Sequence, residues 1–308
     1  MQIFQQLTYI NNTSLALGFF DGIHQGHKVV LKNAVTIAQK NKTTSTVITF
    51  KNHPLSVLSD DKIEQIITLD EKIQILKKLG IDNVVILNFE DIANLKAEEY
   101  LKDVLIKYYS PIAITTGFNH SFGYKKQGNS DFLRTKSKKY GYQYYEIPPY
   151  VIDGELVSCS VIRGKLQLGN FFEANKLLGY NFFVSGKVIQ GDKIAGQLGF
   201  PSANIIYPET KIKIPLGVYY VQVNIQGSIY NGVLNYGYCK AKDNSEILKT
   251  EVHIINFNDE IYGENITINF ISKIREQIDF ENADKLKAQI KRDIAFAQMY
   301  QYFLKTGL

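Results

Sequence analysis

Two histidines three residues apart, His24 and His27, follow an apolar run and a glycine-bearing turn in Ser14-Leu-Ala-Leu-Gly-Phe-Phe-Asp-Gly-Ile-His-Gln-Gly-His27. The run reads as a buried strand, and the histidines stand at the mouth of a helix. A strand that hands its backbone to a helix N-terminus makes an anion site, because free N–H groups and the helix dipole point outward there. Both imidazoles then face that anion. Gly22 and Gly26 leave the backbone bare enough for a phosphate to approach. No Gly-x-x-x-x-Gly-Lys-Ser/Thr occurs in the chain, so the loop is not a P-loop. A nucleotide is still its natural ligand. Taken alone, a His-x-x-His is a weak signal, since histidines on a helix face are often caps or surface groups.

The elements that must position this pair alternate between strand and helix. Strands are expected at Ser14–Phe19, Thr43–Phe50, Asn83–Phe89, Ile112–Gly117 and Tyr142–Ile147, with helices near Gly26–Lys40, Leu69–Leu79 and Glu98–Tyr109. Such spacing indicates right-handed βαβ crossovers and a doubly wound parallel sheet, whose ligands gather at the carboxyl ends of the strands. Ser158 is a plausible N-cap, and Asn170-Phe-Phe-Glu173 resembles a capping box for a helix ended by Gly179. After Tyr180 the pattern changes to period-two alternation in Phe182–Ile189, Gly217–Ile225, Ile229–Tyr236, Thr250–Phe257 and Asn265–Ile271. No helix interrupts these runs, so an antiparallel barrel is expected. Glu281–Leu304 closes the chain as a helix with Leu286, Ile290 and Ile294 as its apolar stripe. The expected domains are residues 1–181 and 182–308.

Composition narrows the class. The 308 residues are 45% hydrophobic and 21% charged, with a formal net charge of +5, an ordinary balance for a soluble globular protein, and the length favours two domains. That charge is thin over this length and reads as a solvated surface rather than a nucleic-acid footprint. No apolar run is long enough to span a bilayer, and the start lacks the pattern of a signal peptide. Cys159 and Cys239, far apart and without metal-ligand spacing around them, suit a reducing cytoplasm. Oligomeric state is not legible. Arginine occurs only at positions 134, 163, 275 and 292. In a chain that otherwise uses lysine, an arginine inside a motif suggests a need for its planar fork.

Gly18-Phe-Phe-Asp-Gly-Ile-His-Gln-Gly-His27 resembles the nucleotidyltransferase signature Gly-x-Phe-Asp-Gly-x-His-x-Gly-His of the family that transfers an adenylyl group from ATP to FMN. Further segments follow in family order. Thr49-Phe-Lys-Asn-His-Pro54 is similar to Thr-Phe-x-Pro-His-Pro, with Asn52 in place of the first proline. Gly117-Phe-Asn-His-Ser-Phe-Gly123, with Gly128-Asn129, is similar to a flavin and nucleotide loop. Ser158-Cys-Ser-Val-Ile-Arg163 is similar to Ser-Ser-Thr-x-Ile-Arg. The resemblance implies that Gly18, Phe19, Phe20, Asp21, Gly22, His24, His27, Ser158, Ser160 and Arg163 line the nucleotide site. By the same resemblance His24, His27 and Arg163 are catalytic, neutralising phosphate charge together with Mg²⁺, and Asn119 and Phe122 meet the flavin.

The second half resembles bacterial riboflavin kinase domains through Leu198-Gly-Phe-Pro-Ser-Ala-Asn204, Gly217-Val-Tyr219, Glu251-Val-His253, Ile261-Tyr-Gly263 and Arg275-Glu-Gln-Ile-Asp-Phe280. The whole chain therefore resembles the bacterial bifunctional riboflavin kinase/FMN adenylyltransferase family, and its implied substrates are ATP, FMN and riboflavin. Ser202 and Asn204 would hold Mg²⁺ with ATP, Glu251 would activate the riboflavin hydroxyl, and Arg275 would meet flavin. Read without the resemblance, Glu251 is an outward residue on an alternating strand. The kinase half departs from the family pattern at Leu178-Gly-Tyr180, Ala195-Gly196, Ser202 and Gly237-Tyr-Cys-Lys240. A chain that only adenylylates FMN, its barrel binding flavin or serving structurally, is the alternative. A transferase for another phosphate ester and a nucleic-acid-binding protein are the other readings left open.

Overall fold

A computed structural model describes residues 1–58, 63–191, 196, 198–240 and 246–306. The chain divides into two compact units, Met1–Val161 and Ile162–Leu308. In the first unit six strands form one parallel sheet in the order β1-β4-β3-β2-β5-β6. They are β1 Gln2–Phe4, β2 Thr13–Leu17, β3 Thr44–Phe50, β4 Asn83–Leu87, β5 Pro111–Gly117 and β6 Gln143–Ile147. Every residue of β2 and β4 is buried, as expected for strands covered on both faces. The main core joins Leu15, Leu17, Ile48, Val85 and Ile114 to Leu101, Val104, Leu105 and Tyr109 of a helical run over 97–109. The middle of that run, Tyr100–Ile106, is π-helical.

The strand order places the chemistry. From β2 the chain builds outward on one side through β3 and β4, then crosses to build β5 and β6 on the other. Ala16 of β2 pairs with Val47 of β3 and with Thr115 of β5. The carboxyl ends of β2 and β5 therefore flank the point where strand order reverses, the usual ligand crevice of an open α/β sheet. Helix α1, Gln25–Asn41, starts there. Helix α2 is Pro54–Leu58, and helix α3, Leu69–Lys78, opens on a capping box between Thr68 and Glu71.

In the first unit three strands escape the sequence reading: β1, and the pair β7 Val151–Ile152 and β8 Glu155–Leu156, which form a short hairpin. The capping box expected at Asn170 does not form, for its side chain makes no cap hydrogen bond. Asn175 in the same helix, Phe171–Leu178, ties it down instead: its Oδ1 accepts from the Phe182 amide at 2.6 Å and its Nδ2 donates to the Phe270 carbonyl at 3.0 Å.

The second unit is a closed antiparallel barrel in the order β10-β13-β12-β11-β14-β9. Its strands are β9 Phe183–Ile189, β10 Ala203–Ile205, β11 Gly217–Ile225, β12 Ser228–Lys240, β13 Glu246–Ile254 and β14 Asn265–Arg275. Strand β10 was hidden in the Leu198–Asn204 motif, and it closes the barrel by pairing with both β9 and β13. Although the sequence pattern changes near residue 182, the helix Phe171–Leu178 packs within this unit. Phe171 stacks on Phe270 at 5.3 Å and meets Tyr219 edge-on at 5.4 Å, with Phe182 beside it.

The closing helix is Ala283–Thr306. Leu286, Ile290 and Ile294 are only half-buried, and the buried positions are Asp293 and Ala297. Ala297 lies against Val218, Tyr220 and Val233 of the barrel. Phe171→Ala should cost about 3–5 kcal/mol of stability, as deleting a buried aromatic does. Phe172→Ala, at a position 67% exposed, should stay within about 0.5 kcal/mol. Denaturant titration of the two variants checks this, and equal losses would contradict the packing assigned to Phe171.

Candidate functional site

After Leu17 the backbone makes a turn that few residues tolerate. Phe20, Gly22 and Ile23 all have positive φ, at 55°, 70° and 36°. For Phe20 and Ile23 this region is costly and persists only when the surroundings over-determine it. The buried Asp21 is that determinant. Its carboxylate accepts hydrogen bonds from the Ile66 amide at 2.9 and 3.2 Å and from the Ile67 amide at 3.3 Å. Gly22 would place a Cβ 3.1 Å from the Ile66 side chain, and Gly18 would place one 2.9 Å from the Phe20 ring. These glycines accommodate neighbouring side chains. A Cβ on Gly26 would press on the His24 ring and Tyr150, each at 3.3 Å. The bare backbone expected to admit phosphate at Gly22 and Gly26 thus makes room for Ile66 and His24.

The turn delivers His24 to the N-cap of α1. Its Nδ1 accepts from the His27 amide at 3.2 Å, and the two rings stack with centroids 3.6 Å apart and planes 15° from parallel. Phe20 closes the stack edge-on against His27 at 5.3 Å. Burial lowers the His24 pKa to about 4, with Asp21 opposing in part. His27 is lowered well below its ordinary value by burial and then by His24 and Lys72. Both rings are therefore neutral near pH 7. Because Nδ1 of His24 accepts, its proton resides on Nε2, leaving a neutral N–H donor. Nδ1 of His27 is buried without a hydrogen-bond partner. By itself the pair therefore carries no charge at neutral pH, where charge neutralisation was expected of it. The rings offer directed hydrogen bonds, and the N-terminal end of the α1 dipole supplies a positive field.

A cation that sequence reasoning missed lies beneath. Lys72 of α3 is 1% exposed; its Nζ donates to the Phe19 carbonyl at 2.6 Å and sits 3.8 Å from the centre of the Phe19 ring. Burial lowers its pKa to about 8, with Asp21 and Cys159 opposing. Thr49 also donates to the Phe19 carbonyl, at 2.9 Å, and His53 meets the Phe19 ring edge-on at 4.7 Å. The Thr49–Pro54 motif is thus brought onto the Gly18–His27 motif. A signal for Lys72 was present: it stands four residues before Leu76, on the apolar face of α3.

The third motif leaves the carboxyl end of β5. Asn119 is exposed in its turn. Phe122 turns inward, toward Tyr100 at 5.5 Å and Phe132 at 5.9 Å. Gly128 is required because a Cβ there would lie 2.5 Å from the Phe122 ring. His120, which the sequence reading left unassigned, is half-buried beside Phe122 with its Nε2 sealed from solvent, and desolvation lowers its pKa to about 4. In the fourth motif the Ser158 hydroxyl accepts from the Val161 amide at 3.3 Å, as a cap should. Ser160 is exposed and Arg163 half-buried on the helix Cys159–Gln167. Arg163 falls beyond the division at Val161. Cys159, also unassigned from sequence, donates its thiol to the Asp21 carbonyl at 3.3 Å.

In the barrel, strand register assembles what sequence leaves scattered. Asn204 pairs with Glu251, Glu251 with Asn235, Asn235 with Val218, and Val218 with Arg275. Directly opposed residues project from the same face of a sheet, so these form one transverse row. The face is the one on which Val218 meets Ala297. Asn204 is buried, and a Cβ on Gly191 would collide with its carboxamide.

The Arg275 fork, assigned to flavin by the resemblance, is held bidentately by the buried Asp293 carboxylate at 2.8–3.1 Å, and its Nη1 donates to the Glu276 carbonyl. It fastens the closing helix to the barrel. Ser202 lines a cavity of about 520 Å³ with Gly196, Pro201, Val252, Ile261 and Tyr262. Gln277 exchanges hydrogen bonds with the Tyr238 backbone, which gives the divergent 237–240 segment a structural partner. Ala195 lies outside the described residues.

Among the described residues no helix is long and apolar enough to cross a membrane. An FAD synthetase family model matches residues 7–161 and a riboflavin kinase model matches residues 178–301. The bifunctional riboflavin kinase/FMN adenylyltransferase of Buchnera aphidicola is 33% identical, covering 94% of each chain. The Bacillus subtilis protein of that name is 33% identical over 91% of this chain and 89% of its own. A crystal structure described as a macrolide-efflux protein from Streptococcus pneumoniae matches with a TM-score of 0.83 and 29% identity, over 93% of this chain and 94% of that one. Parallel sheet, barrel, ordered motifs and relatives agree: the chain belongs to the bifunctional riboflavin kinase/FMN adenylyltransferase family.

Proposed function

We propose that the chain makes FAD from riboflavin in two ATP-dependent steps, with FMN as the intermediate product. The stacked, neutral His24–His27 pair capping α1 at the sheet's switch point is the observation that carries the second step. There an FMN phosphate oxygen attacks the α-phosphorus of ATP, the bond to the bridging oxygen breaks, and pyrophosphate leaves. The second pKa of a phosphate monoester is near 6, so the nucleophile is already ionised. No general base is needed; positioning and electrostatic stabilisation supply the rate. In this reading the His24 Nε2–H and the amides of α1 hold the polyphosphate, Ser158, Ser160 and Arg163 add donors, and Asn119 and Phe122 meet the flavin. Lys72 holds the Phe19 carbonyl and so the turn.

Phosphorylating riboflavin differs because its ribityl 5′-hydroxyl is a weak acid. Glu251 is the base that accepts that proton as the oxygen attacks the γ-phosphorus of ATP. Mg²⁺ bound with ATP would lower the charge of the phosphates. The Ser202 hydroxyl and the buried Asn204 carboxamide, opposite Glu251 in the register, are the oxygen donors such an ion prefers. Substrates of this kind, with two cysteines in no disulfide, suit a cytoplasmic enzyme.

Riboflavin with Mg²⁺–ATP should yield FMN and then FAD; formation of neither product, with FAD made only from added FMN, would remove the kinase assignment. Glu251→Gln should slow FMN formation by roughly 10²–10⁴-fold, the usual contribution of a placed base, and leave FAD formation from FMN unchanged. Conversely, His27→Ala should reduce FAD formation from FMN by about 10²-fold or more with riboflavin phosphorylation intact; unaltered FAD turnover would refute the role of the pair. Lys72→Met should lower the adenylylation rate by about 10²-fold, the effect of a misplaced group. It should also remove a decline in wild-type rate as pH rises through about 8, where the Lys72 ammonium loses its proton. An alkaline limb that survives in the variant would assign that titration elsewhere.

A further inference from the structure

His24, His27 and Cys159 each offer one ligand atom, and these atoms lie within 4.8 Å of one another. We propose that these three side chains form a binding site for a thiophilic transition metal, Zn²⁺ in the first instance, which competes with ATP for the histidine pair. Two imidazoles and a thiolate are donors that zinc favours, and three protein ligands leave a fourth position for water. The His27 ring and the Cys159 thiol both turn toward the Asp21 carbonyl, which brings their donor atoms together. The site is anchored from both sides, since Cys159 stands at the start of the helix Cys159–Gln167 and the histidines open α1. Ligand separations in a tetrahedral zinc site follow from bonds of about 2.0–2.3 Å, so the three groups need to close by about an ångström, and the stacked imidazoles have to tilt apart so that both lone pairs meet one ion.

Binding replaces two interactions. The Cys159 thiol, which donates to the Asp21 carbonyl, loses its proton to the buffer as the metal–sulfur bond forms. His24 gives up its acceptance of the His27 amide, a 3.2 Å contact, because a ring that ligates through either nitrogen no longer offers the Nδ1 lone pair. Both changes fall on the N-terminus of α1. A chain with serine at position 159 would have a hydroxyl there, a poor ligand for zinc, so this sensitivity belongs to the cysteine.

Cobalt(II) added to the full-length protein tests the site spectroscopically. A thiolate-to-cobalt charge-transfer band should appear, fade on addition of Zn²⁺, and be suppressed by ATP. Cys159→Ser should abolish the band and Cys239→Ser should retain it. In the FMN-to-FAD assay, Zn²⁺ should inhibit competitively with ATP and reversibly by chelation. Cys159→Ser should weaken that inhibition by at least roughly tenfold, the loss that even an outer-shell partner produces. In the wild-type chain, Zn²⁺ should protect Cys159 from alkylation, a readout that needs no variant to fold. A missing band, a band retained in Cys159→Ser, or a Cys159 alkylated equally with and without Zn²⁺ would overturn the site. The competition with ATP rests on the proposed adenylylation. A cobalt band unaffected by ATP would preserve the metal site and sever it from that reaction.

Discussion

A single buried carboxylate fixes the loop that delivers His24 and His27 to the start of α1. Asp21 binds the amides of Ile66 and Ile67, and that grip helps hold left-handed backbone at Phe20 and Ile23. Released, the turn would relax toward ordinary φ, and the rings that follow it would lose their register with α1. The Lys72 ammonium adds a second hold on the preceding carbonyl, at Phe19. Neither charge stands alone in the low-dielectric interior: each offsets part of the other's burial, and Asp21 opposes the fall in the Lys72 pKa. An acid that looks like a ligand in the motif is thus also the device that presents the other ligands.

That presentation has a chemical consequence. A histidine at a helix N-terminus meets the positive end of the dipole and, here, burial. Both disfavour the imidazolium, and His24 and His27 are neutral where a phosphate-binding site might be expected to be cationic. In the proposed adenylyl transfer such rings orient the polyphosphate by hydrogen bonds rather than as two fixed charges.

Much of this was legible in the sequence because it is local. The strand-turn-helix around His24, the alternation that gives the parallel sheet, and the change to period two in the second half are all written in consecutive residues. Elements of two or three residues, such as β1, β7, β8 and β10, carry no period and exist only through their pairing partners. Lys72 stood in view on the apolar face of α3, yet a lysine among lysines reads as solvent-facing until a carbonyl and a ring close over it. Cys159, between two serines, read only as a lone thiol with no metal-ligand spacing around it. The neutrality of the histidines could not be read at all, since burial is a property of the fold. Nor could the grip of Asp293 on Arg275, which joins residues on different elements.

The barrel gives the same lesson at longer range. Asn204, Asn235, Glu251 and Arg275 are scattered over seventy residues of sequence, yet backbone register sets them in one transverse row. A slip of one residue in β13 would send Glu251 to the opposite face and bring Val252 or Thr250 into its place. The buried Leu234–Val252–Ala203 row opposes any such slip, so the apolar interior fixes the register of the row that carries Glu251. The two halves of the chain thus solve different problems with different means. Where the nucleophile is already ionised, a strained turn and a helix terminus suffice to position phosphates. Where it must lose a proton, a carboxylate has to be held in register, and a closed sheet with a hydrophobic interior holds it.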